Sequence, residues 1–201
     1  MMNRKKICVR ESLRASFKDG VCAAFMAGVT DYYATPAALF LGATVQQVGL
    51  ITALPNLLSS LSQFFSVQVI YWVGGRLKLL VRLVLSQATL ILCIAMLPLV
   101  QATHRVELLL IFLILAAMCG GLAGPAWGSL MSDYVPAKKR GQYFGWRNRS
   151  VGAVTVASVS ASGLLLNFFH QRYYGAGFWM IFSLAAAARY CSSYFISRMD
   201  E

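Results

Sequence analysis

Acidic side chains are scarce in this sequence: Asp and Glu number 7 among 201 residues, and all charged residues together make 12% against roughly 25% in soluble domains. Apolar residues make 58%. That balance excludes a soluble globular domain. Histidine is nearly absent, with only His104 and His170, both falling in connections where a solvated imidazole is the ordinary role. The 5 cysteines, Cys8, Cys22, Cys93, Cys119 and Cys191, are widely spaced and form no pair at metal-ligand or redox spacing. They read as small buried hydrophobes. With no His, Cys and carboxylate constellation in the sequence, no enzyme, metal or cofactor is expected.

Charge is missing in long stretches. No charged residue stands between Asp31 and Arg76, and further charge-free runs cover Leu83 to His104, Leu108 to Ser132, Ser150 to Phe169 and Tyr173 to Ala188. A bilayer core needs about 20 apolar residues per helix. Splitting the longest run at its polar centre, Gly42 to Gln47, predicts six spans: Gly20 to Leu41, Val48 to Val73, Leu79 to Val100, Leu108 to Ser132, Val151 to Phe169 and Gly175 to Ile196. A transmembrane barrel would need strands of about 10 residues with alternating polarity. Stretches such as Leu108 to Met118 do not alternate. The expected fold is all-α: a polytopic membrane protein whose six-helix bundle occupies residues 20–196, between a basic segment 1–19 and a short tail 197–201.

What the sequence does have is positive charge, 18 Lys and Arg for a net +11. In a soluble chain this would suggest a nucleic-acid partner. Here every basic residue except Arg105 and Arg172 falls on one side of the predicted spans. By the positive-inside rule both termini are cytoplasmic, as an even number of spans also requires. This gives a multi-pass protein of the cell's inner (plasma) membrane, with the bilayer rather than a nucleic acid as partner. The residues before the first span, with Ile7, Val9, Leu13 and Phe17 among basic neighbours, form either a short interfacial helix or an ordinary basic flank. A cleaved signal is not expected, because the apolar run is too long and Asp31 interrupts it.

Polar residues inside spans carry the functional information, since each is costly unless it faces protein or water. Asp31 is the sharpest, about 17 Å from the inner end of its span at 1.5 Å per residue and therefore near the midplane. Gly28 and Thr35 are read on its face, and Pro36 follows. Asp31 either binds a cation, a proton or a polar substrate group, or is a neutral carboxyl bonded between helices. In the second span Thr52, Asn56, Ser59, Gln63 and Ser66 recur at helical spacing, a stripe that lines an aqueous path or bonds a neighbouring helix. Gln87 and Asn167 are isolated and read as structural. In the fourth span Ala116, Gly120, Gly124 and Gly128 form a small-residue ridge for close helix approach, with Pro125 beside it. The row Thr155, Ser158 and Ser162 of the fifth span is a partner for that ridge. Arg189 is placed to snorkel to the cytoplasm, with a buried pair to Asp31 as the alternative.

Two stretches, GATVQQVGLITALPNLL at Gly42 to Leu58 and GPAWGSLMSDYVPAKKRGQYFGWRNR at Gly124 to Arg149, resemble the amino-terminal half of a bacterial major facilitator superfamily transporter. The resemblance covers essentially all six spans. Its most specific part is Asp133, Pro136, Arg140 and Gly141, an acid followed by an Arg-Gly step into the next helix. Between the second and third spans Gly75, Arg76 and Lys78 match the family's signature, while Tyr71, Trp72 and Val73 stand where its Asp is expected. The resemblance implies a secondary transporter of small solutes working by alternating access, with the six helices arranged as two inverted three-helix repeats. It implies a cavity lined by the first and fourth spans, which contain Pro36 and Pro125; the candidates for substrate or ion binding, read from the polar residues themselves, are Asp31, Thr35, Asn56 and Gln63. It further implies a cytoplasmic charge network in which Asp133 pairs with Arg76 or Arg140, near Lys78. The alternative for these charges is a solvated boundary.

The family's transporters usually have twelve helices, so this chain is either a fragment or a half-transporter pairing with a second copy or a separate six-helix half. The isolated monomer is expected not to transport. A membrane interaction or assembly protein, with the glycine ridge as working surface, is the reading from another class. The small-molecule substrate is not legible, and an acid in the first span is compatible with proton coupling.

Overall fold

Hydrocarbon offers no partner to a backbone N–H or C=O, so a chain this apolar closes its hydrogen bonds within helices. In the computed structural model, which describes residues 2–100, 104–170 and 175–200, the elements are α1 (Met2–Phe40), α2 (Val45–Gln63), α3 (Ser66–Val73), α4 (Arg76–Met96), α5 (Arg105–Tyr134), α6 (Arg140–His170) and α7 (Ala176–Ile196). One 3₁₀ turn, Ala137–Lys139, precedes α6, and no strand occurs among the described residues. This is a polytopic all-α membrane protein. Of the residues used in the sequence reading, Arg172 and Glu201 lie outside the described residues, as do the side chains of Arg4, Lys5, Lys6, Ile7, Cys8 and His170.

Among the described residues three helical stretches are long and apolar enough to cross a membrane, α4, α5 and Ala137–Phe169, and α2 with α3 makes a fourth if the bent pair is one span. Length is not what α1 and α7 lack, at 39 and 21 residues. They carry Asp19, Asp31 and Arg189 among their apolar residues, and they pack against each other.

Several boundaries differ from the sequence reading. The first helix does not begin at Gly20 but runs unbroken from Met2, so the basic segment is the amino-terminal part of α1 rather than a separate short helix. Its Ser12, Ala15 and Ser16 are buried, and the Ser16 hydroxyl donates to the Met131 sulfur of α5 at 3.1 Å. The tail also docks: Met199 is buried and the Asp200 amide donates to Ser12 Oγ at 3.3 Å.

The second span is two helices bent by 61°. No proline or glycine sits at the break; serines cause it. Ser62 Oγ donates back to the Ser59 carbonyl and across to Met118 of α5, and Ser66 Oγ donates to Leu122 of α5. Such side-chain bonds compete with the helical ladder and bend it. Gly74, with φ 78°, then terminates α3 in the left-handed region that glycine occupies without strain. At the other end, α2 opens on a capping box in which Thr44 and Gln47 satisfy each other's backbone amides. The fifth predicted span also starts early: α6 takes in the basic stretch from Arg140.

Helix α1 packs on α6 and α7, α5 on α2 and α4, and α4 on α7. The apolar core falls into two clusters. One holds Val29, Ala38, Ile91, Leu109, Phe182 and Ala185; the other holds Ala15, Leu80, Val84, Leu130, Met131 and Ile196. Along α1, α4 and α7 the residues between the clusters are polar and buried: Asp19, Gln87, Arg189, Ser192 and Ser193.

Candidate functional site

A cavity of about 330 Å³ opens among α1, α2, α4 and α5. Its polar lining is Thr30, Asp31, Thr35, Thr52, Asn56 and Gln87, set against apolar groups such as Met26, Ile51, Ile91 and Leu113. This is the make-up of a small-molecule site, mostly apolar with a few convergent polar groups. Three of the residues singled out from sequence, Asp31, Thr35 and Asn56, are brought together here. Gln63 is not; it lies exposed beyond the cavity, at the end of α2 where the chain bends away.

The geometry around the carboxylate is simple. Thr30 Oγ1 donates to Asp31 Oδ1 at 3.3 Å, and no ion pair to Asp31 occurs among the described residues. The Thr30 hydroxyl also lies 3.1 Å from the Met26 carbonyl. On the facing helix Asn56 Nδ2 donates to the Thr52 carbonyl at 2.8 Å, and both residues line the cavity. Asp31, Thr52 and Asn56 are all exposed, so the cavity opens at the surface of the bundle. The polar stripe of the second span therefore divides: Thr52 and Asn56 line the cavity, while Ser66 bonds α5, as does Ser62 from outside the stripe.

Beside the cavity lies a connected buried layer. Arg189 Nε donates to Gln87 Oε1 at 2.7 Å, and Gln87 Nε2 donates to the Ala116 carbonyl at 3.0 Å. Arg189 Nη1 donates to Ser192 Oγ at 3.1 Å, and Ser192 Oγ donates to Asp19 Oδ1 at 2.6 Å. Four helices are thus joined through one guanidinium. Arg189 is only 8% exposed, so it does not snorkel to the cytoplasm, and its partners are not Asp31. The sequence reading missed Asp19 and this layer. A signal was present: Ser12, Ser16 and Asp19 recur on one face of α1, as Arg189, Ser192 and Ser193 do on α7.

At the end of the bundle where α3 meets α4, Arg76 Nη1 sits 2.8 Å from Asp133 Oδ2 and donates to Ser129 Oγ at 3.0 Å. Of the two partners anticipated for Asp133, the structure shows Arg76. Arg140 instead caps α5, donating to the Ser132 and Val135 carbonyls. Lys78 is exposed.

The glycine ridge of α5 distributes differently from its reading. A side chain at Gly120 would stand 3.3 Å from the Gln87 amide, whereas Gly124 and Gly128 have nothing within 4 Å. The close approach is at Gly121, where a Cβ would fall 2.3 Å from the Ser59 carbonyl of α2. Likewise the row on α6 meets α1 rather than the ridge: a Cβ on Gly28 would lie 2.0 Å from Ser158 Oγ. Gly28 therefore faces α6 and does not share the cavity with Asp31.

A family model described as Major Facilitator Superfamily matches residues 20–199. No curated protein and no solved structure matches the chain.

Proposed function

This chain belongs to the Major Facilitator Superfamily, and from that premise we propose that it is one bundle of a secondary active transporter in which Asp31 binds the coupling proton or a cationic group of a small solute. The observation that carries the reading is a carboxylate with no ion-pair partner among the described residues, lining a cavity of about 330 Å³ beside Thr35 and Asn56. Such an acid within a membrane span is costly to keep unless it is used. Proteins of this family are transporters rather than enzymes.

Six spans follow if the bent α2–α3 pair counts as one and the polar helices α1 and α7 cross with their charged groups turned inward. The cluster of basic residues then places both termini in the cytoplasm of a plasma-membrane protein. The cavity opens at the bundle surface, so a second six-helix bundle supplies the opposite wall. Asp133 and Arg76 form the cytoplasmic contact that is made in one access state and released in the other, with Lys78 and Arg140 at its margin.

The test is flux in membrane vesicles. Vesicles from cells producing the chain are loaded with a pH-sensitive dye and challenged with a panel of organic cations. Asp31→Asn is expected to abolish solute-dependent proton movement at an unchanged amount of inserted protein. Unaltered flux at every pH overturns the role of Asp31. Crosslinking in the same membranes tests the second wall: capture of another six-helix bundle supports it, and capture only of an unrelated protein favours an assembly function.

A further inference from the structure

The amino-terminal part of α1 and the start of α6 line a second groove, of about 540 Å³, that shares no lining residue with the Asp31 cavity. One wall carries Arg10, Arg14 and Lys18, spaced four residues apart along α1 and all exposed. Between them stand Leu13 and Phe17, half-buried. The other wall is Tyr143 and Trp146 of α6. Phe17 stacks on Trp146 with ring centroids 4.6 Å apart, which fixes the two walls relative to each other. The Tyr143 hydroxyl is buried and has no hydrogen-bond partner among the described residues. No carboxylate lines the groove.

Three cations, an unused hydroxyl donor and an apolar, aromatic floor match an amphiphilic anion: charge at one end, hydrocarbon at the other. We propose that this groove binds the headgroup of an anionic phospholipid, with Arg10, Arg14 and Lys18 on the phosphate and the Tyr143 hydroxyl donating to it. Its volume lies in the range of about 300–1,000 Å³ typical of small-ligand sites. A lipid rather than free phosphate is favoured by Leu13, Phe17 and Trp146. These side chains give a soluble anion nothing, but they suit the boundary where headgroup meets acyl chain, the usual place of interfacial aromatics and of basic pockets between spans. The proposal rests on the reading that this end of the bundle lies at a membrane interface, and it is independent of Asp31.

Trp146 is 54% exposed and reports on the groove directly. A variant keeping it as the sole tryptophan (Trp72→Phe, Trp127→Phe, Trp179→Phe) is reconstituted into phosphatidylcholine vesicles. These contain a minor fraction of brominated lipid in both leaflets, so that orientation does not matter. Brominated phosphatidylglycerol is expected to occupy the quenching site at least about fivefold more readily than brominated phosphatidylcholine, the factor one surface cation alone supplies. Arg10→Gln/Arg14→Gln/Lys18→Gln removes that preference. Tyr143→Phe, which changes no charge and leaves the ring packing intact, reduces it at least about threefold, as loss of one hydrogen bond to an anion implies. Removing three charges outside the groove, Lys138→Gln/Lys139→Gln/Arg149→Gln, leaves it in place. Equal quenching by the two lipids overturns the proposal. So does an equal effect of the outside triple variant, or no effect of Tyr143→Phe, since diffuse attraction then explains the preference. Relief of quenching by millimolar inorganic phosphate at constant ionic strength assigns the groove to a free anion instead and overturns the lipid. None of these results bears on flux through the Asp31 cavity.

Discussion

The guanidinium of Arg189 shows how an ionisable group survives in an apolar bundle. It is not brought to water; water's role is taken by Gln87, Ser192 and, through Ser192, Asp19. Removing one member strands the others in a low-dielectric interior, a loss of about 3–5 kcal/mol for a buried charge left uncompensated. Arg189→Gln is therefore expected to lower unfolding stability in detergent by that order, and adding Asp19→Asn to recover part of it. A double-mutant cycle with no coupling between the two positions would contradict the connection through Ser192. Asp31 was legible in the sequence because it precedes a long charge-free run. Asp19 was harder to see, because it directly follows Lys18 in a basic stretch, and its recurrence with Ser12 and Ser16 on one face has meaning only once the helix is known to begin before them. Arg189 was misread for a related reason. Depth along a helix can be counted from sequence, but the direction a side chain takes depends on which neighbours are there to receive it.

Among the elements, α5 shows both the reach and the limit of small-residue patterns. The glycines at spacing four mark a helix with little side-chain bulk, yet the approach within this chain is made one residue over, at Gly121 against Ser59 and Ser62. A Cβ there meets the Ser59 backbone carbonyl as well as the Ser62 hydroxyl, and the carbonyl cannot swing aside. Gly121→Leu is accordingly expected to cost about 1–3 kcal/mol by overpacking, with Gly124→Leu nearly neutral in the isolated bundle. Thermal unfolding in detergent distinguishes them, and equal midpoints would place the α2–α5 contact elsewhere. Helix existence was well signalled by the charge-free runs. The break between α2 and α3 was not, since serine is an ordinary residue in a span until another helix offers it a carbonyl. The early start of α6 was hidden similarly: Arg140 to Arg149 is too basic to read as membrane, but it forms helix continuous with the apolar stretch that follows.

For the whole molecule, the contact between Arg76 and Asp133 ties α4 to α5 at one end of the bundle. The two side chains are 27% and 58% exposed, so as a static bond the pair contributes at most about 1 kcal/mol. Under the proposed function, its effect is on the balance between access states. Asp133→Asn is expected to shift the ratio of inward-open to outward-open populations by up to about fivefold, read from distances between spin labels on the two ends of the assembled transporter. An unchanged ratio would reduce the pair to a solvated boundary contact. The family's signature made Arg76 and Asp133 visible as candidates; the choice of Arg76 over Arg140 depended on the α5 terminus, whose bare carbonyls take the Arg140 guanidinium for themselves.

The buried layer between the two apolar clusters has one more consequence. Apolar side chains in hydrocarbon are nearly indifferent to sliding, because a leucine one turn up packs much like a leucine one turn down. The bonds from Arg189 to Gln87 and through Ser192 to Asp19 are not indifferent: a shift of one helical turn, about 5.4 Å, breaks them all at once. The layer thus acts as a vernier mark on α1, α4 and α7, setting the height at which Asp31 and Gln87 share one cavity.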